Sequence, residues 1–119
     1  MKKILILLLT TGITWSQWVS AHAIMVKSSP AKDESTNTIP TRVDVWFDAG
    51  VGPKYTSLAV VNTKGERVDN GDGELESRDK SHLSATLKPI TPGRYGVRYR
   101  VQSEDGHIVT GKFFFEITE

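Results

Sequence analysis

Three segments of this chain alternate apolar and polar residues with a period of two, the pattern of a strand that buries one face. In TRVDVWFD, Val43, Val45 and Phe47 alternate with Asp44 and Trp46. In GRYGVRYRVQ, Tyr95, Val97, Tyr99 and Val101 alternate with Gly96, Arg98 and Arg100, and KFFFEITE repeats the pattern with Phe113, Phe115 and Ile117. AIMVKS, TSLAVVN and HLSATL add shorter β-rich runs around Ile24 to Val26, Leu58 to Val60 and Leu83 to Ala85. The turn-forming stretches SSPAKDESTNTIP, NTKGE, VDNGDGE, KPITPG and SEDG separate them and leave no room for a long helix. About seven short strands with turns roughly every eight to twelve residues predict an all-β chain, two antiparallel sheets packed as an immunoglobulin-like or Greek-key sandwich. Its core draws on Val43, Val45, Phe47, Leu58, Val60, Tyr95, Val97, Tyr99, Phe113, Phe115 and Ile117.

Ahead of these strands lie a basic start, Lys2-Lys3, an apolar run from Ile4 to Leu9 that extends weakly to Ile13, and the triplet Val19-Ser20-Ala21. That is the layout of a secretory signal peptide, with cleavage expected after Ala21. The apolar run falls short of the roughly 20 residues that span a bilayer, so no membrane span is expected after cleavage. The expected organisation is a signal peptide over 1–21 and one domain over 22–119. Removing 21 of the 119 residues leaves 98, room for a single modest core. Of the 15 Lys+Arg and 14 Asp+Glu, only Lys2 and Lys3 leave with the leader, giving a nearly neutral mature chain of 13 basic and 14 acidic residues. Neither the balance nor any long basic tract suggests a nucleic-acid partner. Arg98 and Arg100 share strand parity and form one solvated face. Without cysteine there is neither a disulfide framework nor a thiolate metal site, so apolar packing must hold the domain.

The chemistry falls to three histidines: His22, His82 and His107. After cleavage, His22 would offer two nitrogens from one residue, the α-amine and the imidazole Nδ1, which can close a chelate ring on one ion. A nitrogen-rich tetragonal site of this kind favours Cu(II), which stands at the top of the divalent affinity order. Asp105 and His107, one residue apart, would project to the same side of an extended segment, and Gly106 lets the backbone bend toward an ion. Asp105-Gly106 also reads as an ordinary tight turn, with His107 simply facing solvent. His82 shares parity with Ser84 and Thr86, which predicts an outward, solvated face, although a role as a further ligand or supporting partner stays open.

The ordered combination of His22-Ala23, SSPA at Ser28 to Ala31, a strand ending at Phe47, TPGRYGVRYRV from Thr91 to Val101 and SEDGHIVTGKFFF from Ser103 to Phe115 resembles the CopC-like periplasmic copper-binding proteins. The resemblance implies a cupredoxin-like Greek-key β-sandwich that binds one Cu(II) through His22, Asp105 and His107. It also implies a non-enzymatic, monomeric role in copper resistance or delivery in the periplasm. An inner-membrane copper transporter or another periplasmic copper protein would be the exchange partner. Two departures from the family pattern stand out. A methionine-rich Cu(I) segment is missing, and Met25 at strand spacing reads as a packing residue. In WFDAG, Ala49 stands where some relatives carry a supporting glutamate, with Asp48 one position earlier.

Two other functions compete with the copper carrier. An N-terminal histidine can support oxygen activation at copper in a polymer-cleaving oxidase, and a metal-free interaction module would leave the histidines incidental. Zinc is a variant of the carrier reading, though it prefers tetrahedral ligand sets.

Overall fold

The computed structural model describes Gly12 and residues 23–119, so the rest of the expected leader and His22 lie outside the described residues. Eight strands follow in order: β1 (Met25–Ser29), β2 (Ser35–Thr36), β3 (Arg42–Phe47), β4 (Val51–Val61), β5 (Glu74–Glu76), β6 (Asp79–Thr86), β7 (Gly93–Ser103) and β8 (Ile108–Ile117). They form two four-stranded sheets, β1-β3-β6-β5 and β2-β8-β7-β4. Every pairing is antiparallel except that of the two-residue β2 with β8. The architecture is the Greek-key β-sandwich expected from the alternation, with eight strands where about seven were expected, and the two that match none of the apolar runs are the short β2 and β5.

Alternation places the core. Val43, Val45 and Phe47 of β3, Leu58 and Val60 of β4, Leu83 and Ala85 of β6, Tyr95, Val97 and Val101 of β7, and Phe113, Phe115 and Ile117 of β8 are all buried. Tyr99 is the one expected core residue that is only partly buried. Its ring is edge-on to Phe47, centroids 5.3 Å apart. Across the ladder it faces Gly111, and its hydroxyl and ring edge fill the space that a β-carbon at Gly111 would need. The glycine is required by this close approach.

Buried polar groups are matched as the core demands. Tyr95 donates its hydroxyl to the Thr91 carbonyl at 2.6 Å and accepts from the Thr91 N–H at 3.2 Å, closing the TPGRY turn that feeds β7. The Asp69 side chain has no solvent exposure. It accepts hydrogen bonds from the Val60 N–H at 2.8 Å, the Gly71 N–H at 2.9 Å and the Arg67 guanidinium at 2.7 Å. Burial pushes the Asp69 carboxyl up, but these bonds outweigh it and hold the group below its ordinary 3.8.

Two predictions follow from this packing. Gly111→Ala forces Tyr99 aside and lowers the unfolding free energy by about 1–3 kcal/mol, the usual cost of overpacking, read by thermal or urea unfolding. Asp69→Ala leaves the buried Val60 N–H without its acceptor and costs about 1–3 kcal/mol at pH 7. Because the folded-state value of Asp69 is depressed, its contribution is fully present above the unfolded value near 3.8 and fades as pH falls through the lower folded value. The stability gap between wild type and Asp69→Ala, followed by urea unfolding, therefore narrows below about pH 4. A gap that stays constant down to pH 2 contradicts the assignment.

Candidate metal centre

Asp105 and His107 sit in the turn between β7 and β8, where the hairpin register ends at Gln102 opposite Ile108. The segment is closed rather than extended, contrary to the simple alternation argument. The Ser103 N–H donates to the His107 carbonyl at 2.8 Å, the Gly106 N–H donates to the Ser103 carbonyl at 2.9 Å, and Gly106 adopts φ of 88°. That left-handed conformation is the reason a glycine follows the aspartate. The turn still brings the two side chains together, with Asp105 Oδ2 and His107 Nδ1 2.8 Å apart.

The carboxylate is held from the other side by Ser103, whose hydroxyl donates to Asp105 Oδ1 and also reaches the His107 carbonyl at 3.2 Å. Ser103 is 3% exposed, so this hydroxyl is a fixed part of the turn. Its bond, followed by that of His107, pulls the Asp105 carboxyl down to about 2, which leaves the group ionised at neutral pH. An ionised carboxylate only accepts, so Nδ1 of His107 carries the hydrogen and Nε2 is the lone-pair nitrogen of the neutral ring. A charged oxygen donor and an imidazole are thus joined on one short loop with no carboxyl proton to displace. Sequence reasoning passed over Ser103; the signal was its spacing, a hydroxyl two residues before an aspartate in an S-x-D-G turn.

The start of β1 reaches the same corner. Ala23 is 2% exposed and lines one cleft with Ile24, Met25, Tyr99 and the β8 residues from Ile108 onward, directly after His107. Asp48, in the β3–β4 turn, fixes this edge through both of its ends. The Ile24 N–H donates to Asp48 Oδ1 at 2.9 Å, and the Asp48 N–H donates to the Ile24 carbonyl at 2.9 Å. Met25 pairs with Phe47 and packs against the core, as its strand spacing implies.

His82 is elsewhere. It points to the outer face of its sheet, as parity predicts, but it is not solvated, since its side chain is only 17% exposed. Cross-strand pairing sets it opposite Trp46, and the two rings stack with centroids 4.3 Å apart. Its Nε2 meets Asp44 Oδ1 at 2.7 Å, and Lys27 covers the Trp46 ring at 4.4 Å. His82 is committed to this cluster and not to the Asp105–His107 turn. Among the described residues no group of three or more His, Cys, Asp or Glu side chains converges to hold a metal ion. Asp105 and His107 are brought together, and His22 lies outside the described residues.

A family model described as the CopC domain matches residues 25–118. Among curated relatives, the chain is 32% identical over 98 residues to the copper transport protein CutJ of Bacillus subtilis, an alignment covering 82% of this chain and only 18% of that longer protein. It is 23% identical over 116 residues to copper resistance protein C of Pseudomonas syringae pv. tomato, covering 92% and 91% of the two. Among solved structures, CopC from Methylosinus trichosporium OB3b superposes with a TM-score of 0.74 at 31% identity, covering 81% of this chain and 93% of that one.

The Asp48 contact predicts a conservative rescue. In Asp48→Ala the Ile24 amide exchanges its hydrogen up to about tenfold faster, matching the loss of one hydrogen bond worth about 0.5–1.5 kcal/mol. Asp48→Asn keeps an acceptor oxygen and retains most of the protection. Hydrogen exchange followed by NMR at Ile24 checks both.

Proposed function

The chain belongs to the CopC family, and from that premise we propose that it is a periplasmic Cu(II) carrier or buffer, not an enzyme. The relatives named as copper transport and copper resistance proteins support copper as its cargo. The proposed ligands are the α-amine and imidazole of His22, freed by cleavage after Ala21, together with Asp105 and His107. One observation carries this assignment: buried Ala23, covalently next to His22, shares a cleft with Ile108, covalently next to His107.

Each group has a distinct part. The amine and ring of His22 form the chelate that favours a tetragonal ion, and His107 adds a second imidazole. Asp105 arrives already ionised, held by Ser103, and supplies the charge that stabilises a divalent ion. Two fixed edges, the Asp48-anchored start of β1 and the β7–β8 turn, limit the rearrangement needed on binding. With Met25 packed in the sandwich, soft thioether ligands for Cu(I) are not part of the proposal.

The test compares the mature chain beginning at His22 with the same chain carrying one extra alanine before it. Isothermal titration should give one Cu(II) per mature chain and an affinity lower by at least about 10–100-fold for the extended chain, no less than the loss typical of disturbing a supporting partner. His107→Ala and Asp105→Asn should change the Cu(II) electron paramagnetic resonance spectrum while leaving the thermal unfolding midpoint close to wild type, because the core is metal-independent. Equal affinity of the mature and extended chains would overturn the role given to the N-terminus.

A further inference from the structure

The outer face of β7 and β8 carries cations that the copper reading does not use. Arg98 lies directly opposite Lys112, and Arg100 opposite Thr110, with Ser57 and Ala59 of β4 as the neighbours on the other side. All three cations are exposed, and they line one cleft of about 630 Å³ with Ser57, Ala59 and Gly111. None of them is ion-paired among the described residues, whereas Arg42 is bonded to Asp44 and Glu76, and Arg67 to Asp69. Like charges set opposite each other across a ladder destabilise a sheet. The Arg98–Lys112 pair therefore leaves a local electrostatic cost in an otherwise near-neutral domain, and a docked anion would relieve it. Arg100 is already oriented, since its Nε donates to the Tyr55 carbonyl at 3.2 Å.

The face is continuous with the metal corner. A second cleft of about 320 Å³, lined by Tyr55, Arg100, Gln102, Gly106 and Ile108, shares Arg100 with the first and ends at the turn that holds Asp105 and His107. A body seated over Arg98, Arg100 and Lys112 therefore lies at the rim of that turn.

We propose that the Arg98–Arg100–Lys112 face is the docking surface for a carboxylate-rich protein that exchanges copper with the adjacent turn. The nature of the exchange rests on the copper-carrier reading; the anionic chemistry of the partner rests on the cations alone. Two arginine forks and an ammonium in a cleft suit protruding Asp and Glu side chains, which a guanidinium grips bidentately. Phe114 at the border is covered by the Arg94 guanidinium at 4.5 Å, while Tyr55 and Ile108 are exposed in the second cleft, so a lipid surface is the competing occupant that the vesicle probe tests.

The test uses the isotopically labelled mature chain and three probes at low ionic strength: decaglutamate peptide, decaserine peptide, and phosphatidylglycerol vesicles. The expected result is saturable decaglutamate binding with amide shifts at Arg98, Arg100, Thr110 and Lys112, and none with decaserine. Affinity should fall at least tenfold in Arg98→Gln/Lys112→Gln and in Arg98→Glu, with unfolding midpoints confirming that both variants are folded. Cu(II) affinity should change by less than twofold in both. No saturable binding, unchanged binding by the variants, or vesicle binding through the same amides in preference to decaglutamate would overturn the proposal. The copper arm is read separately. A wild-type chain that takes up no Cu(II) overturns the carrier reading and with it the exchange role, while decaglutamate binding alone would still report an anion-docking face.

Discussion

The continuous register of β7 against β8, from Gly93 opposite Ile117 to Gln102 opposite Ile108, is the constraint on which the rest of the molecule depends. A strand alternates its side chains, so this one register fixes three things together. Inward it aligns Tyr95, Val97 and Val101 with Phe113, Phe115 and Ile117, which form about a third of the core. At its closed end it sets the turn that joins Asp105 to His107. Outward it places Arg98 against Lys112. A slip of one residue would expose the aromatic core and bury the cations, and it would separate Tyr99 from Gly111, the only kind of residue that leaves room for its ring.

The second edge of the site depends on a different element. Among the described residues β1 pairs only with β3, at the margin of its sheet, and an edge strand frays unless it is tied down. Asp48 supplies the tie by using its backbone N–H and its carboxylate on the same residue, Ile24. Asp48 directly follows Phe47, which ends β3 and is 4% exposed, so the tie is made next to a core residue. The aspartate one position before Ala49 thus acts on the N-terminal strand through the main chain. Its short side chain suits that contact.

Much of this was legible from the residue pattern. The period-two runs located β3, β7 and β8 and about half of the buried apolar residues, because burial on one face of a sheet leaves a direct imprint on sequence; Val51, Leu87 and Ile90, outside those runs, were not expected in the core. The pairing of Asp105 with His107 was also legible, although the reason differed: a glycine-mediated turn joins them, and parity along an extended strand does not. What escaped were contacts made across sequence distance by residues with innocuous local signatures. The alternation that put His82 outward could not reveal that Trp46, on the neighbouring strand, would cover it and Asp44 would bind it. Likewise the exposure of Arg98 and Arg100 was readable from one strand, but the like-charge opposition to Lys112 needed the pairing of two.

The division of labour between core and corner has an energetic consequence for a cargo protein. Where a metal organises the fold, releasing the ion costs folding free energy, as in small zinc domains. Here the sandwich holds itself by apolar packing and matched polar groups, with no buried side-chain nitrogen or oxygen lacking a partner among the described residues. Of the proposed ligands, Asp105 and His107 belong to an exposed turn outside the core. On the proposed reading, loading and unloading need only local adjustment at the start of β1 and the β7–β8 turn, so affinity would be set by the ligands without trading against stability. A carrier that must give up its ion to a partner needs that separation.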